Sequence, residues 1–246
     1  MALAGKQVLI TGGGSGVGAD LARAFAGAGA RVVIAGRRAE PLESLAATLP
    51  GALAVTADVT DEASTRAMFD AAGPCDIVIA NAGAANSAPF QRVDLDHWNA
   101  MLAVNLTGTF LTLREGLLRM DGWGRLIAIA STAGLKGYPY VSGYCAAKHG
   151  VVGMARALAV ELARTGVTVN AICPGFIETP LLERSIARIV KTTGMSAEQA
   201  AASLKAANPQ GRFIGADEVA GAALWLCSDA ARSLNGHALS LSGGEL

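Results

Sequence analysis

The sequence is poor in charged and aromatic side chains. Only 16% of its 246 residues are Asp, Glu, Lys or Arg, and only 5% are Phe, Trp or Tyr. The 20 basic residues balance the 20 acidic ones, and no basic run is longer than the pair Arg37-Arg38. Nucleic acids and anionic membranes are bound by basic patches, so we expect neither as a partner and predict a small-molecule ligand instead.

Cysteine and histidine are scarce as well, with four and three residues. The cysteines lie far apart without a CxxC spacing, and His97, His149 and His237 complete no metal-ligand pattern. No apolar run approaches the roughly 20 residues that cross a membrane, and the N-terminal stretch reaches a glycine cluster too early for a signal peptide. We therefore expect no metal, reduced thiols and a cytoplasmic location.

The apolar residues, 52% of the chain, suffice for one large core and a single domain over residues 1–246. Short β-branched runs alternate with longer stretches rich in Ala and Leu. This alternation predicts an α/β fold of Rossmann type, in which a doubly wound parallel sheet is the middle layer of an αβα sandwich. The predicted strands are QVLI, RVVIA, ALAVTA, DIVIA, RLIAIA and VTVNAI, all interpreted as buried on both faces, and a closing strand in HALSLSGG.

Two longer segments stand out. DHWNAMLAVNLTGTFLTLREGLLRM has the length and spacing of a helix. Residues 176–210 form an insertion with helical pieces, placed after a strand's carboxyl end, where ligands bind in such sheets. We interpret this insertion as a mobile substrate lid, and an element that packs a dimer is the alternative.

A glycine cluster follows the first predicted strand. In TGGGSGVG, the residues Gly12, Gly16 and Gly18 have the spacing GxxxGxG, which differs from the GxGxxG fingerprint. One glycine permits a tight turn, another lets the backbone approach a pyrophosphate, and a third lets the helix pack on the sheet. Glycines that merely close a turn are the alternative, but this position in an alternating chain favours dinucleotide binding.

The end of the second predicted strand indicates which dinucleotide is bound. NAD-binding proteins usually place an acidic residue there, but this chain has Gly36, Arg37 and Arg38. Arginine can bind a 2′-phosphate and stack on adenine, which favours NADP(H) over NAD(H), with Arg37 as the main contact. Two solvated arginines are the alternative. Asp58, after the third strand, is a candidate acceptor for the adenine amino group.

Three polar residues predict the chemistry. Ser131 ends the strand RLIAIAS, and Tyr144 and Lys148 lie one turn apart on a predicted helix, on the same face. Reduction of a carbonyl requires a proton on its oxygen, and we expect the ammonium of Lys148 to lower the pKa of the Tyr144 phenol so that it can donate that proton. Ser131 would hydrogen-bond the same oxygen. A Tyr/Lys pair alone is more often a surface couple.

The motifs TGGGSGVG, NAG, IAS, YCAAK and PG, in this order, resemble the short-chain dehydrogenase/reductase family over nearly the whole chain. The resemblance implies metal-independent hydride transfer and commonly a homotetramer. It adds Asn105 to the catalytic set, as the residue that shapes a water-linked proton relay to the lysine. Ala80, where the family more often has Asn, leaves these roles unchanged. The cofactor-binding residues are then predicted to be Gly12, Ser15, Gly16, Val17, Gly18, Arg37, Arg38, Asp58, Val59, Asn81, Ala82, Gly83, Tyr144, Lys148, Pro174, Gly175, Ile177 and Thr179.

The substrate class is less sharply indicated. The segment ELARTGVTVNAICPGFIETPLLE resembles 3-oxoacyl reductases and polyketide ketoreductases, and YCAAKHGVVG also resembles 3-hydroxybutyrate dehydrogenases. The enzymes for free acids carry a histidine and a lysine where this chain has Ala133 and Val141. Lys136 is either a substrate-binding cation or a solvated loop residue, and the run 138–140 (YPY) suggests an apolar wall.

The sequence is compatible with three functions. The favoured one is NADPH-dependent reduction of a ketone, with the β-carbonyl of a 3-oxoacyl thioester as the expected group. An NAD-dependent dehydrogenase of secondary alcohols or 3-hydroxyacids is the alternative. A cofactor-sensing interaction protein without turnover is a third hypothesis.

Overall fold

The computed structural model describes residues 3–246, which form a seven-stranded sheet flanked by helices. The strands are β1 (Gln7–Thr11), β2 (Arg31–Gly36), β3 (Leu53–Thr56), β4 (Ile77–Ala80), β5 (Gly124–Ile129), β6 (Val167–Pro174) and β7 (Ala238–Leu241). The α-helices are α1 (Gly16–Gly27), α2 (Ala39–Ala46), α3 (Glu62–Ala72), α4 (Leu95–Leu102), α5 (Gly108–Leu117), α6 (Ser142–Glu161), α7 (Pro180–Thr193), α8 (Ala197–Lys205) and α9 (Ala216–Leu226).

All strand pairs are parallel, and the strand order is β3-β2-β1-β4-β5-β6-β7. The order reverses direction between β1 and β4, so the chain leaves these two neighbours towards opposite faces. A crevice opens at such a point, outside the carboxyl ends of the strands. The predicted αβα sandwich of Rossmann type is confirmed.

Alternating side chains of the central strands build two cores, one on each face of the sheet. In β1, Val8 and Ile10 belong to the core beneath α1 and α9, whereas Leu9 points to the core beneath α3, α5 and α6. Strand β4 divides in the same way, since Ile79 joins the first core and Val78 the second. Burial on both faces explains why these strands consist almost entirely of apolar residues.

The two edge strands are less buried than the central ones. Strand β3 is partly exposed along its whole length, with Leu53 41% exposed, and no residue of β7 is fully buried. The prediction that β3 is buried on both faces is therefore wrong. Its sequence is as apolar as that of a central strand, but it has a neighbour, β2, on one side only.

The long helical stretch before β5 is interrupted. A π-helical turn, Ala103–Thr107, separates α4 from α5. One extra residue in a turn widens the helix locally, and such turns often occur at functional sites. The turn holds Asn105, whose side chain is completely buried. Helical spacing in the sequence predicts the helix but not this change of pitch.

The insertion after β6 contains α7 and α8, as its helical pattern predicts. Its first residues pair with the chain before α9, through a β-bridge between Ile177 and Ile214. The side chain of Arg188, on α7, donates a hydrogen bond to Asn86 in the loop after β4. The insertion thus reaches across the carboxyl edge of the sheet. Within residues 3–246, no helix is long and apolar enough to cross a membrane.

Candidate active site

The glycine loop is tied to the end of β4. The Thr11 hydroxyl accepts hydrogen bonds from the backbone amides of Asn81 and Ala82, at 3.1 and 3.2 Å. In return, the Asn81 side-chain amide donates to the carbonyl oxygens of Thr11 and Gly12, at 2.9 and 3.3 Å. Asn81 thus supports the glycine loop directly. Thr11 was not predicted as a site residue, because its only signal in the sequence is a hydroxyl at a strand end next to the glycine cluster.

Two glycines of this loop leave no room for a side chain. A Cβ on Gly18 would lie 2.1 Å from the carbonyl oxygen of Gly12, and a Cβ on Gly13 would lie 2.6 Å from the Ile34 side chain. Gly12 and Gly16 adopt positive φ angles of 65° and 52°, which glycine tolerates without steric cost. The close turn and the tight packing of helix on sheet therefore both require glycine here.

The start of α1 is suited to an anion. Ser15 stands at its N-cap, yet no side chain caps the helix, and its first turn has no acidic residue. By contrast, α3 and α4 begin with Asp61 and Asp94, whose carboxylates accept hydrogen bonds from amides of the first turn. An uncapped helix N-terminus behind a glycine loop can receive a phosphate. The loop therefore fits the pyrophosphate of a dinucleotide.

The predicted adenosine end lies at the ends of β2 and β3. Arg37 and Arg38 are exposed and lie between β2 and α2. The Asp58 carboxylate accepts hydrogen bonds from the amide and the hydroxyl of Thr60, and these bonds, together with the nearby charge of Arg37, lower its pKa. Val59 is buried, so it would meet a cofactor through its backbone. This edge presents two exposed arginines, of which Arg37 lies near enough to Asp58 to affect its pKa.

The NAG motif after β4 contacts both predicted proton-relay residues. A Cβ on Gly83 would lie 2.9 Å from the side-chain oxygen of Asn105 and 3.8 Å from the ammonium nitrogen of Lys148. The Asn105 amide group donates to the carbonyl oxygens of Ala84 and Met101, and its oxygen accepts from the Ala84 amide. Asn105 thus fastens the loop after β4 to the π-helical turn.

Ser131 follows β5, beside the end of β6. The Ala130 amide donates a 2.7 Å hydrogen bond to the carbonyl oxygen of Ile172, which sets Ser131 next to the last residues of β6. After Ser131 the chain makes a short 3₁₀ turn that packs on α6, where a Cβ on Gly134 would lie 2.7 Å from the carbonyl oxygen of Lys148. Gly134, which the sequence analysis did not single out, lets Ser131 approach α6.

Tyr144 and Lys148 lie one turn apart on α6, as their spacing predicts. The Lys148 ammonium is 5.6 Å from the centroid of the Tyr144 ring and is only 3% exposed. It donates a 2.8 Å hydrogen bond to the carbonyl oxygen of Ile129. The helix, the end of β5 and the Gly83 loop therefore bring the three predicted catalytic side chains and Asn105 to one place.

The electrostatics of this pair differ from the expectation. Burial raises the pKa of Tyr144 to about 12, although a hydrogen bond with Ser131 partly opposes the rise. Burial also lowers the pKa of Lys148 to about 8. The predicted net lowering of the Tyr144 pKa is therefore wrong, because desolvation of the phenol outweighs the influences that lower its pKa.

The remaining predicted cofactor residues lie at the end of β6 and the start of the insertion. The Gly175 amide donates to the carbonyl oxygen of Leu241, which holds the corner after Pro174 against β7. The side chain of Thr179 packs on the glycine loop, since a Cβ on Gly16 would lie 3.2 Å from its methyl carbon. Ile177 is partly buried against the α1 core. The insertion thus begins beside the predicted pyrophosphate site.

Lys136 is a partly exposed loop residue, but its ammonium is already paired. Its ammonium forms a 2.8 Å ion pair with the carboxylate of Glu245. The Tyr138 hydroxyl lies 2.6 Å from the same carboxylate oxygen and 2.7 Å from the Thr132 hydroxyl. The expected apolar wall therefore holds a buried polar network, although the Tyr138 ring also packs edge-on against Phe176.

The four cysteines are not among the predicted site residues. The four cysteines are free and buried, and no group of three or more His, Cys, Asp or Glu side chains within the described residues could hold a metal ion. Burial raises the pKa of the Cys173 thiol to about 11, although the Ser131 backbone and the Lys148 ammonium partly oppose the rise.

Known proteins resemble this chain over its full length. The profile of the short chain dehydrogenase family matches residues 6–190. D-beta-hydroxybutyrate dehydrogenase of Rhizobium meliloti is 36% identical over 97% of this chain and 98% of that protein. The putative ketoacyl reductase 1 of the granaticin polyketide synthase of Streptomyces violaceoruber is 37% identical over 96% of this chain and 91% of that protein.

The architecture agrees with this assignment. The crystal structure of a single-residue variant of actinorhodin polyketide ketoreductase with NADPH superposes with a TM-score of 0.91. That protein is 34% identical in sequence, and the match covers 100% of this chain and 99% of that chain. The glycine loop on β1, the serine after β5 and the Tyr/Lys pair on α6 thus belong to a known framework, and this chain is an NAD(P)-dependent oxidoreductase of the short-chain dehydrogenase/reductase family.

Proposed function

We propose that this protein reduces a ketone to a secondary alcohol with NADPH and that its natural substrate is the β-carbonyl of a 3-oxoacyl thioester. The observation that carries this proposal is the convergence of Ser131, Tyr144 and Lys148 at the carboxyl ends of β5 and β6, beside the glycine loop. A bound nicotinamide cofactor would supply the hydride. The protein must then position the ketone and manage one proton.

Tyr144 is the proposed proton donor. Its pKa of about 12 keeps the phenol protonated at neutral pH, so the proton is available when negative charge develops on the carbonyl oxygen. The Ser131 side chain is close enough to the phenol to oppose part of the rise in its pKa, and we propose that its hydroxyl binds the same carbonyl oxygen. Both groups would stabilise the developing oxyanion more than the neutral ketone, as catalysis requires.

Lys148 is proposed to favour loss of the phenol proton and to hold the ribose of the cofactor. Its pKa of about 8 leaves it mostly protonated at pH 7, so a positive charge is buried within one helical turn of the phenol. That charge stabilises the phenolate that remains after proton donation. Asn105 supports the arrangement by fixing the loop beside the lysine, and we propose that a water held there returns the proton to Tyr144.

The preference for NADPH rests on the end of β2. Strand β2 ends in Gly36 and is followed by the exposed Arg37 and Arg38, so no acidic residue stands at the strand end, where a carboxylate would repel a 2′-phosphate. Asp58 lies near enough to feel the charge of Arg37, but its carboxylate is occupied by Thr60. We propose that Arg37 binds the 2′-phosphate and that the remaining residues of the predicted set line the same crevice.

The preference for a neutral ketone rests on what surrounds Ser131 and Tyr144. Ala133 is buried and apolar, and Val141 stands just before α6. Lys136 is the cation of this loop, and it is already paired with a carboxylate. A substrate whose acyl chain ends in a thioester presents no charge next to its ketone, which suits such a site.

Oxidation of a 3-hydroxyacid with NAD is the second candidate. The likeness to D-beta-hydroxybutyrate dehydrogenase, at 36% identity, favours it, and the apolar residues Ala133 and Val141 oppose it. A protein that only senses the cofactor is disfavoured, because Ser131, Tyr144 and Lys148 are all present. Each alternative predicts a different result in the same assay.

The assay measures the initial loss of nicotinamide absorbance with NADPH or NADH, each combined with acetoacetyl-CoA or free acetoacetate. The proposal predicts turnover with NADPH and the thioester and at least tenfold less with the other combinations. Preference for NADH and free acid would replace it with the dehydrogenase. Binding of NADPH without turnover of any ketone in a broad panel would favour the sensing function.

The insertion at 176–210 is proposed as a substrate lid. Thr179 at its start contacts the glycine loop, and Arg188 bonds Asn86 across the crevice. If the insertion is a lid, a protease should cleave it more slowly when NADPH and a ketone are bound. Equal cleavage with and without ligands would instead support the role in dimer packing.

We further propose a cytoplasmic homotetramer. The helices α5, α6 and α9 leave large apolar side chains exposed, with Phe110 at 42%, Val160 at 79% and Trp225 at 44%, and apolar surface of this kind is often covered by another copy. Sedimentation as a monomer at micromolar concentration would contradict the tetramer. Cell fractionation tests the location, which rests on four reduced, buried thiols.

A further inference from the structure

We propose that Glu245 is a specificity-determining residue, because its carboxylate neutralises Lys136 and so makes the site select ketones without a nearby negative charge. This inference rests on the proposed ketone reduction and names the feature that restricts its substrates. It concerns a segment after β7, which lies far from the catalytic motifs in the sequence.

The chain after β7 is shaped to bring Glu245 inward. Gly243 and Gly244 have φ angles of 63° and 98°, which other residues rarely adopt. A Cβ on Gly243 would lie 1.9 Å from the side-chain oxygen of Asn208, which itself is held by bonds to the Gln210 amide and the Arg212 carbonyl. Glycine is therefore required at this turn. The Glu245 side chain that follows the turn is only 4% exposed.

The Glu245 carboxylate joins two segments that border the active site. One of its oxygens contacts Lys136 and Tyr138, both in the loop between Ser131 and Tyr144. Its other oxygen lies 3.5 Å from where a Cβ on Gly175 would be, at the corner that follows Pro174. Through Tyr138 the network continues to Thr132, the residue directly after Ser131. The Glu245 carboxylate is thus linked through Tyr138 and Thr132 to the segment that begins at the candidate catalytic serine.

The side chains of Glu245 and Lys136 are buried to different extents. Glu245 is almost completely buried, whereas the Lys136 side chain is 37% exposed. A buried carboxylate requires a partner, and Lys136 supplies it. The ion pair of Lys136 and Glu245 therefore carries no net charge. If Glu245 were neutral, the same ammonium would be free to bind a carboxylate on the substrate, because a single charge-assisted hydrogen bond improves affinity about tenfold or more.

The test compares acetoacetate with ethyl acetoacetate, which present the same ketone with and without a negative charge. For wild-type protein with NADPH, we expect kcat/KM to be at least tenfold higher for the ester. In Glu245→Gln, whose side chain can still accept from Tyr138, kcat/KM for acetoacetate should rise at least tenfold and that for the ester should change less than threefold. Glu245→Asp, which keeps the charge, should show no such gain.

A second variant tests the charge itself. Adding Lys136→Met to Glu245→Gln should abolish the gain for acetoacetate. Lys136→Met alone leaves the carboxylate unpaired and should lower kcat/KM for acetoacetate further, with little change for the ester. Lys136→Met leaves a buried carboxylate unpaired and should itself lose stability, so urea unfolding accompanies the kinetics, and the double variant, which buries no unpaired charge, is expected to fold in either case. Equal effects on both substrates in these variants would overturn the proposal and indicate a purely structural network.

A binding measurement separates this inference from the proposed function. Calorimetry with acetoacetate and the NADP⁺ complex should show at least tenfold tighter binding to Glu245→Gln than to wild type. If wild type reduces the ester but Glu245→Gln neither binds nor reduces acetoacetate better, the role of Glu245 is refuted and the ketoreductase proposal stands. If wild type reduces neither ketone, the proposed function fails, and the calorimetric comparison still decides whether Glu245 excludes anions.

Discussion

The ammonium nitrogen of Lys148 lies 2.8 Å from the carbonyl oxygen of Ile129, two residues before Ser131. This bond joins the catalytic helix α6 to the end of β5 and satisfies one donor of a lysine that is only 3% exposed. The other N–H donors of the ammonium remain available for Tyr144 and for a cofactor ribose. The position of Lys148 therefore explains both its low pKa and its proposed role, and it motivates the following predictions.

Replacing Tyr144 by Phe should abolish turnover and spare cofactor binding. The phenol is the proposed acid, and loss of a general acid typically slows a reaction by about 10² to 10⁴-fold. The measurement is kcat for a ketone with NADPH, together with the dissociation constant of NADPH from fluorescence. Tyr140→Phe is the matched control, since Tyr140 is 65% exposed and its variant should keep wild-type rates. Activity of Tyr144→Phe within tenfold of wild type would remove the proposed acid.

The rate of reduction should fall at alkaline pH as Lys148 loses its proton. Its pKa is about 8 in the folded protein, so the ammonium is charged below this pH and neutral above it. We expect log(kcat/KM) for the ketone to be level up to about pH 8 and then to decrease by about one unit per pH unit. Lys148→Arg stays charged and should shift this decrease upward. If the pH profile of Lys148→Arg coincided with that of wild type, deprotonation of Lys148 would not be the cause of the decrease.

Lys148→Met should stabilise the protein while it inactivates the enzyme. The pKa of Lys148 is about 8 in the folded state, against 10.5 for an unperturbed lysine side chain, so the unfolded state binds this proton more tightly. At pH 7 the buried charge therefore costs stability, and its removal should raise the free energy of unfolding by about 1–3 kcal/mol.

Urea unfolding at pH 7 measures this change. Lys191→Met, at an exposed position on α7, is the control and should change stability by less than about 0.5 kcal/mol. In the wild-type protein, Lys148 should make the free energy of unfolding rise between pH 8 and about pH 10.5, because in this range only the unfolded state keeps the lysine proton. A less stable Lys148→Met variant would show that the bond to Ile129 outweighs the burial of the charge.

Arg37→Ala should weaken binding of NADPH but not of NADH. A hydrogen bond between charged groups contributes about 1.5–3 kcal/mol, so KM for NADPH should rise roughly tenfold to 100-fold. Arg38→Ala, at the neighbouring exposed arginine, should have a smaller effect if Arg37 is the main contact. The same increase for NADPH and NADH would show that Arg37 does not recognise the 2′-phosphate.

Gly18→Ala should damage the glycine loop, whereas Gly27→Ala should be harmless. Both residues lie on α1, but a Cβ at Gly18 would lie 2.1 Å from the Gly12 carbonyl oxygen, and a Cβ at Gly27 would meet nothing within 4 Å. We expect NADPH affinity of Gly18→Ala to fall at least 100-fold or the variant not to fold. Gly27→Ala should be as stable as wild type or slightly more stable, since alanine favours the helix. Similar NADPH affinity of both variants would contradict the close-packing argument.

The main elements of the fold and site were predictable because their signals are local. Each central strand is a short apolar run, each helix has its own spacing, and the glycine loop and the Tyr144/Lys148 pair lie within single turns. Thr11 and Gly134 were not found, since a hydroxyl and a glycine have many ordinary roles in loops. Their importance follows from close contacts with Asn81 and with the backbone at Lys148, which a single sequence does not reveal.

The sequence by itself determined the order of strands and helices, the glycine turn and the spacing of the catalytic pair, because these depend on neighbours along the chain. Only the tertiary structure decided which strand is exposed at an edge, where the helix widens around Asn105 and that Lys136 pairs with Glu245. It also decided that Tyr144 has a raised pKa. These properties depend on burial and on contacts between distant segments, and both arise only when the chain has packed.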